Sequence, residues 1–198
     1  EPRTITIIGA GVAGTEAIKK AIDNRAKIKI IDLSSEKLNL LKDRFGNKNI
    51  DYIISSESSI EDAIKESDMV IGAVYVIGKQ APRVIKRSML KLMKPGTVMV
   101  DISIDQGGCF ESSKPTTHDN PTYDEDGIIH YCVTNMPGAV PLTATESLNK
   151  ATLPYILELA NKGIETALKE NPHLANGLNI QNGEIIHESV REALINTE

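Results

Sequence analysis

Residues 6–17 read TIIGAGVAGTEA: an apolar run passes through Gly9, Gly11 and Gly14 into a stretch patterned as a helix. The spacing is G-x-G-x-x-G between a strand and a helix, and each glycine has a separate physical task. The first permits a tight turn, the second admits a pyrophosphate close to the backbone, and the third lets the helix pack on the strand. The amides at the helix N-terminus then face the phosphates, with the positive end of the helix dipole behind them. Tight turns also use glycine for purely structural reasons, so the motif gains its meaning from its neighbours in the chain.

The second strand supplies that context. Thr4–Ile8 reads as a buried parallel strand and Val12–Ile22 as an amphipathic helix, with Ala13, Ala17, Ala21 and Ile18, Ile22 at i, i+4 spacing. Lys27–Leu33 is a second strand bearing Asp32, 18 residues beyond Gly14. An acid at that strand end accepts hydrogen bonds from an adenosine ribose, and its charge disfavours a 2′-phosphate, which selects NAD over NADP. The alternative is a strand-end Asp that caps the next helix. Lys37, one turn into that helix, reaches either the ribose region or plain solvent.

Alternation continues along the chain. A helix from Ser34–Ser35 to Phe45 stops at Gly46, and Tyr52–Ile54 forms a third strand. A short helix spans Ile60–Lys65 with Ser58 and Ser59 as candidate caps, before a fourth strand, Met69–Val74. A helix is expected over Pro82–Met93, ended by Lys94-Pro95-Gly96, then a fifth strand, Thr97–Ile104. A Ser-, Thr- and Pro-rich loop fills 111–121, and Ile128–Val133 is the sixth strand, running into Asn135-Met136-Pro137-Gly138. Strands joined mainly by helices predict an α/β fold, a Rossmann-type doubly wound parallel sheet. From Thr143 the pattern becomes helical over Thr145–Leu168 and near Ser189–Ile195, with a turn signal at Asn182-Gly183. The expected division is a dinucleotide-binding domain over 1–140 and a helical appendage over 141–198, too small to hold its own core.

Ligands in this fold lie outside the carboxyl ends of the strands. Asp105, at the mouth of the sheet before Gln106-Gly107-Gly108, is therefore a candidate acid/base or water holder. It could equally bond its own glycine turn. Asp101, inside the strand, reads as structural.

Composition excludes several classes. Lys and Arg total 22 against 27 Asp and Glu, a net charge of −5, with no Trp and 2 Phe, which argues against a nucleic-acid surface. The apolar run 69–78 is too short for a bilayer span, no signal peptide precedes the first strand, and a cytoplasmic protein is expected. Cys109 and Cys132 lack metal-type spacing and read as free buried thiols, and the 4 His are scattered, so no metal is expected. The chain starts without Met, close to a core strand, which suggests a piece of a longer protein.

Longer motifs carry a resemblance. GAGVAG (9–14), IIDLSSEKL (30–38), DMVIGAV (68–74), VDISIDQGGCFESSKPTTHDNPTY (100–123) and NMPGAVPLTATESLNKATLPY (135–155) resemble the alanine dehydrogenases. The related proton-translocating transhydrogenase α subunit is the nearest alternative, differing around DQGG; a non-catalytic dinucleotide-binding module is a second.

The resemblance implies reversible NAD-dependent oxidative deamination of L-alanine to pyruvate and ammonia. Hydride leaves the α-carbon, water adds to the iminium ion, and the carbinolamine collapses through proton transfers. It implies cofactor contacts at Val12, Asp32 and Lys37, with Ser55 near the adenine. Val74, Tyr75 and Ile102 through Asp105 would line the cleft, and Val133, Thr134, Asn135 and Met136 would sit beside the nicotinamide. Asp105 aligns with the family's catalytic Asp. Lys114 stands where the family often has Arg. The Arg, Lys and His that the family's N-terminal half supplies for the substrate match no motif here. The resemblance thus implies a missing substrate domain, on which 141–198 would pack, and a hexamer for the complete enzyme.

Overall fold

The computed structural model describes residues 2–76 and 80–195. Residues 77 and 78 of the apolar run lie outside the described residues. The described chain falls into two compact units, residues 2–76 with 80–136, and residues 137–195.

In the first unit β1 (Thr4–Ile8), α1 (Val12–Asp23), β2 (Lys27–Asp32), α2 (Ser35–Phe45), β3 (Ile50–Ile54), α3 (Glu57–Glu66) and β4 (Met69–Gly72) alternate as the sequence pattern requires. β5 (Val98–Asp101), β6 (Thr122–Glu125) and β7 (Ile128–Tyr131) complete a sheet of order β3-β2-β1-β4-β5-β7-β6. All neighbours are parallel except β6, which runs antiparallel to β7. The expected Rossmann-type sheet is therefore present. Strand order reverses at β1, between β2 and β4, so the crevice of a doubly wound sheet opens past the end of β1.

Both faces of the sheet are covered, which explains why its strands read as continuous apolar runs rather than alternating ones. Ile7, Ile28 and Ile30 pack with Ile18, Leu38 and Leu41 on one face. Ile8, Ile31 and Val70 pack with Ile60, Ile64, Leu90 and Phe110 on the other. Adjacent residues such as Ile7 and Ile8 serve opposite cores because successive strand side chains point to opposite faces.

Several expectations need correction. Of the stripe expected on α1, Ile18 and Ala21 are buried, together with Gly14, while Ala13 and Ile22 are exposed and Ala17 is half-buried. Gly14 lies against the Gly9 carbonyl, so this edge of the helix packs on the turn after β1. α3 begins earlier than expected, capped by Ser56, whose hydroxyl accepts from the Ser59 amide while the Ser59 hydroxyl accepts from the Ser56 amide, a reciprocal capping box.

The helix expected over Pro82–Met93 is extended through Ile85, which bridges Phe110, and becomes a 3₁₀ turn only over Arg87–Leu92. The Val84 amide bonds the Cys109 carbonyl and the Glu111 amide bonds the Ile85 carbonyl. Pairing with the 109–111 segment outweighs local helical pattern. β4 and β5 stop earlier than expected, at Gly72 and Asp101. The strand Thr122–Glu125 is not among the elements expected from the sequence, although Asp126-Gly127, both at positive φ (55° and 79°), is the turn pair that closes a two-residue hairpin.

In the second unit α4 (Pro141–Lys162) and α5 (Ile164–Glu170) break at Gly163 (φ 75°), so the helix expected over Thr145–Leu168 is two. α6 (Pro172–Ala175) follows, then a hairpin of β8 (Ile180–Gln181) and β9 (Glu184–Ile185) around Asn182-Gly183, and α7 (Glu188–Ile195). None of α4 is buried: Leu142, Leu148 and Ile156 are 73%, 65% and 54% exposed. No helix among the described residues is long and apolar enough to cross a membrane.

Candidate nucleotide-binding site

The three glycines of the opening motif meet three different surroundings. Gly9 has φ 110°, and a Cβ there would lie 2.4 Å from the Ala73 carbonyl oxygen, so the turn requires glycine and presses against the end of β4. A Cβ on Gly14 would lie 1.9 Å from the Gly9 carbonyl oxygen; the third glycine lets α1 seat on the turn itself. A Cβ on Gly11 would meet nothing within 4 Å. Gly11 is also the N-cap of α1, with no side-chain cap and no acid in the first turn. The positive end of α1 thus opens onto free space.

Asp32 closes the other side. One carboxylate oxygen accepts from the Ala10 amide at 2.7 Å and the other from the Ser34 amide at 2.8 Å. The cap of α2 is Ser34, whose hydroxyl accepts from the Lys37 amide at 3.2 Å. Asp32 is therefore a brace between the glycine turn and the loop after β2, and not the helix cap.

A cleft of about 670 Å³ lies above these elements. Of the residues expected at a cofactor site, Gly9, Gly11, Val12 and Asp32 line it from the β1 and β2 side, with Lys37 and Ser55 beyond them and Val74 and Tyr75 opposite. Ala73 also lines it, in the strand end Gly72-Ala73-Val74-Tyr75, whose small and β-branched residues are expected to pack a face of the adenine or ribose. Leu33, Ser34, Pro82 and Val84 line it too and were not singled out in the sequence. Pro82 and Val84 were hidden by the helix expected there. Val12, Leu33 and Tyr75 are 85%, 83% and 70% exposed, so the cleft carries apolar rims.

The remaining expected residues stand outside that lining. Gly14 lies beneath it. Ile102 is 37% exposed, and Asp105 is exposed on a 3₁₀ turn, Ile104–Gln106. Val133 is buried and bridges Thr116, so it offers only backbone. Thr134 bonds the Thr116 carbonyl, and the Asn135 carbonyl is 3.1 Å from His118 Nε2, with Asn135 at φ 55°. Met136 opens a 3₁₀ turn. Lys114 pairs with Glu125 at 3.0 Å and lies over the Tyr123 ring at the β6 edge. Because β1, β4, β5 and β7 run parallel, Gly9, Val74, Asp105 and Asn135 all follow C-terminal strand ends on one edge of the sheet.

Asp101 is structural, as expected, and more so than its position suggested. Its side chain is inaccessible, and accepts from the Ser103 amide at 3.0 Å, the Cys109 amide at 2.8 Å and the Ser113 hydroxyl. Cys109 and Cys132 are free and buried, and burial pushes both thiols up, in Cys109 with help from the Asp101 charge. Burial of this kind disfavours the thiolate, the nucleophilic form of cysteine. No cluster of metal-ligating side chains occurs among the described residues.

With this geometry in place, comparison with known proteins is decisive. Residues 1–188 match the family described as "Alanine dehydrogenase/PNT, C-terminal domain". The chain belongs to that family. An alanine dehydrogenase of Halomonas elongata is 48% identical over 97% of this chain and 52% of its own length. A solved L-alanine dehydrogenase superposes with a TM-score of 0.85 at 43% identity, over 100% of this chain and 54% of that one. A transhydrogenase structure from Sinorhizobium meliloti shares the fold, with a TM-score of 0.73 at 23% identity, over 96% of this chain and 51% of that one. This member of the alanine dehydrogenase/PNT family thus spans about half the length of the curated relatives it matches.

Proposed function

We propose that this chain is the NAD-binding portion of an alanine dehydrogenase, which reversibly deaminates L-alanine to pyruvate and ammonia. The observation that carries the reading is an open, acid-free helix N-terminus at Gly11 facing Asp32, in a chain of this family.

The residues suit the dinucleotide. Free space and unpaired first-turn amides above Gly11 and Val12 fit a pyrophosphate. A carboxylate offers about four acceptor positions. Ala10 and Ser34 use two of those on Asp32, which leaves acceptors for ribose hydroxyls and repels a 2′-phosphate. Lys37 and Ser55 would flank the adenosine, and Val74 and Tyr75 the wall opposite.

Bound NAD would supply a hydride acceptor. Asp105, solvent-accessible past β5, would hold the amine or the attacking water and exchange a proton with it. Ile102 and Ser103 on its loop, and Val133 through Met136 past β7, would flank the nicotinamide, and Lys114 would remain at the edge of that region. The exposed apolar residues of α4 would pack on the substrate-binding half, which would supply the groups for the alanine carboxylate. The complete enzyme would be a cytoplasmic hexamer.

Calorimetric titration of this chain with NAD and with NADP tests the reading. Binding of NAD with much weaker binding of NADP is expected; equal affinity overturns the role of Asp32. The chain alone should show little alanine-dependent reduction of NAD, and full turnover by it would contradict the missing substrate half.

A further inference from the structure

Asp101 is the last residue of β5, its side chain has no solvent contact, and no basic side chain is paired with it among the described residues. Burying a carboxylate is costly unless donors surround it. The donors that compensate come from both sides of Asp105. Ser103, two residues before it, gives its amide to Oδ1 at 3.0 Å. Cys109, four residues after it, gives its amide to Oδ2 at 2.8 Å, and its Sγ lies 3.4 Å from Oδ1. Ser113 adds its hydroxyl to Oδ2. One charge therefore closes the loop at its two ends. Charge-assisted bonds of this kind are roughly twice as strong as neutral ones.

The interior of the loop is fitted to that anchor. The Gln106 and Gly108 amides both bond the Ser103 carbonyl, at 2.9 and 3.0 Å. Gly107 and Gly108 have φ of 87° and 80°, and a Cβ on Gly108 would lie 2.7 Å from Asp101 Oδ2. The Ser103 hydroxyl donates to the Val74 carbonyl at 2.7 Å, which ties the same loop to the wall of the cleft beside Tyr75.

We infer that Asp101 is a positioning residue: through Ser103, Cys109 and Ser113 it fixes the turn that carries Asp105 relative to the nucleotide cleft. This rests on the alanine dehydrogenase reading above. Asp101 touches neither substrate nor cofactor; its effect is on where Asp105 stands. A displacement of about 1 Å at such a group can cost on the order of a hundredfold in rate.

The test uses the full-length enzyme proposed to contain this chain, assayed for alanine-dependent reduction of NAD, with ADP-ribose binding measured in parallel. In Asp101→Asn an amide group must replace an oxygen that now accepts from the loop. The expected result is a kcat lowered roughly tenfold to a hundredfold, with the KM for NAD and the ADP-ribose affinity unchanged. Ser113→Ala, which removes one donor, should lower kcat by a smaller factor, and Ser113→Thr, which restores the hydroxyl, should recover it. If Asp101→Asn fails to fold, the Ser113 pair decides. Unchanged kcat in the variants, or ADP-ribose affinity that falls in step with kcat, overturns the inference. A wild-type enzyme that reduces no NAD with alanine overturns the functional reading itself, and the two failures are therefore distinct.

Discussion

The Asp32 carboxylate and the Ala10 amide meet at 2.7 Å, so the end of β2 holds the glycine turn that follows β1. The same carboxylate bonds the Ser34 amide at 2.8 Å, one residue before α2 starts. A residue expected to recognise a ribose is thus also the brace of the glycine turn.

Asp32→Asn separates those two duties. Its side-chain oxygen can still accept from one amide, while the charge and one acceptor are gone. A hydrogen bond to a charged group contributes about 1.5–3 kcal/mol, so urea unfolding should show a loss within that range. NAD affinity should fall about tenfold, and the preference over NADP should narrow, both read by calorimetry.

The second and third glycines make opposite predictions. Gly14→Ala puts a methyl 1.9 Å from the backbone oxygen of Gly9, and neither group can move aside. It should destabilise by about 3 kcal/mol, because overpacking commonly costs about 1–3 kcal/mol. Gly11→Ala meets nothing and replaces a glycine N-cap, so stability should change by less than about 1 kcal/mol. Its cost should appear in NAD affinity, since the methyl occupies the space assigned to the pyrophosphate. Thermal unfolding paired with titration checks both. A Gly11→Ala chain that binds NAD as the parent does would remove the phosphate floor from the site.

Gly72 makes a third case away from the glycine motif. A Cβ there would lie 2.3 Å from Cys109 Sγ and 2.7 Å from the Phe110 ring. Gly72→Ala should destabilise by about 1–3 kcal/mol. Adding Cys109→Ala opens room on one side only, because Phe110 remains. The double variant should therefore recover part of the loss in chemical unfolding, and no recovery would show that Phe110 alone sets the limit.

His130 predicts a pH dependence. Its Nδ1 faces the Ile128 carbonyl at 3.0 Å and so carries the proton, which leaves Nε2 to accept from the Ser112 hydroxyl at 2.7 Å. The ring is inaccessible and stacks on Tyr123 with centroids 4.8 Å apart. Burial holds its pKa below the usual value of 6.5. The unfolded chain therefore takes up a proton first as pH falls. Stability is whole above 6.5 and declines below it, until the folded pKa is passed. His130→Gln should lower stability at about pH 7.5 but flatten its decline between about pH 6.5 and 5 in urea titrations. A decline of the same slope in both proteins would assign it to the carboxylates instead.

Legibility in the sequence followed the range of the forces involved. Elements governed by nearest neighbours were readable: Thr4–Ile8, Ser35–Phe45 and the Gly46 stop. Pro82–Met93 carries a helical pattern that is local, while its partners, Cys109 to Glu111, come from a distant segment and draw it into an extended form. The hairpin Thr122–Glu125 to Ile128–Tyr131 had a signal in Asp126-Gly127, but TYDE carries too little apolar alternation to mark an edge strand.

The sequence alone determined the parallel sheet, the glycine turn and the strand-end Asp32, because periodicity and glycine spacing are properties of short stretches of chain. Only the tertiary structure decided that Gly11 faces open space while Gly14 does not, although the two are chemically identical. It also decided that Asp32 braces Ala10, and that Asp101 gathers Ser103, Cys109 and Ser113 about one buried charge. Those facts depend on which amides and hydroxyls the folded chain brings to a carboxylate, and the donors from Ala10, Cys109 and Ser113 come from too far along the chain to leave a periodic trace in the sequence.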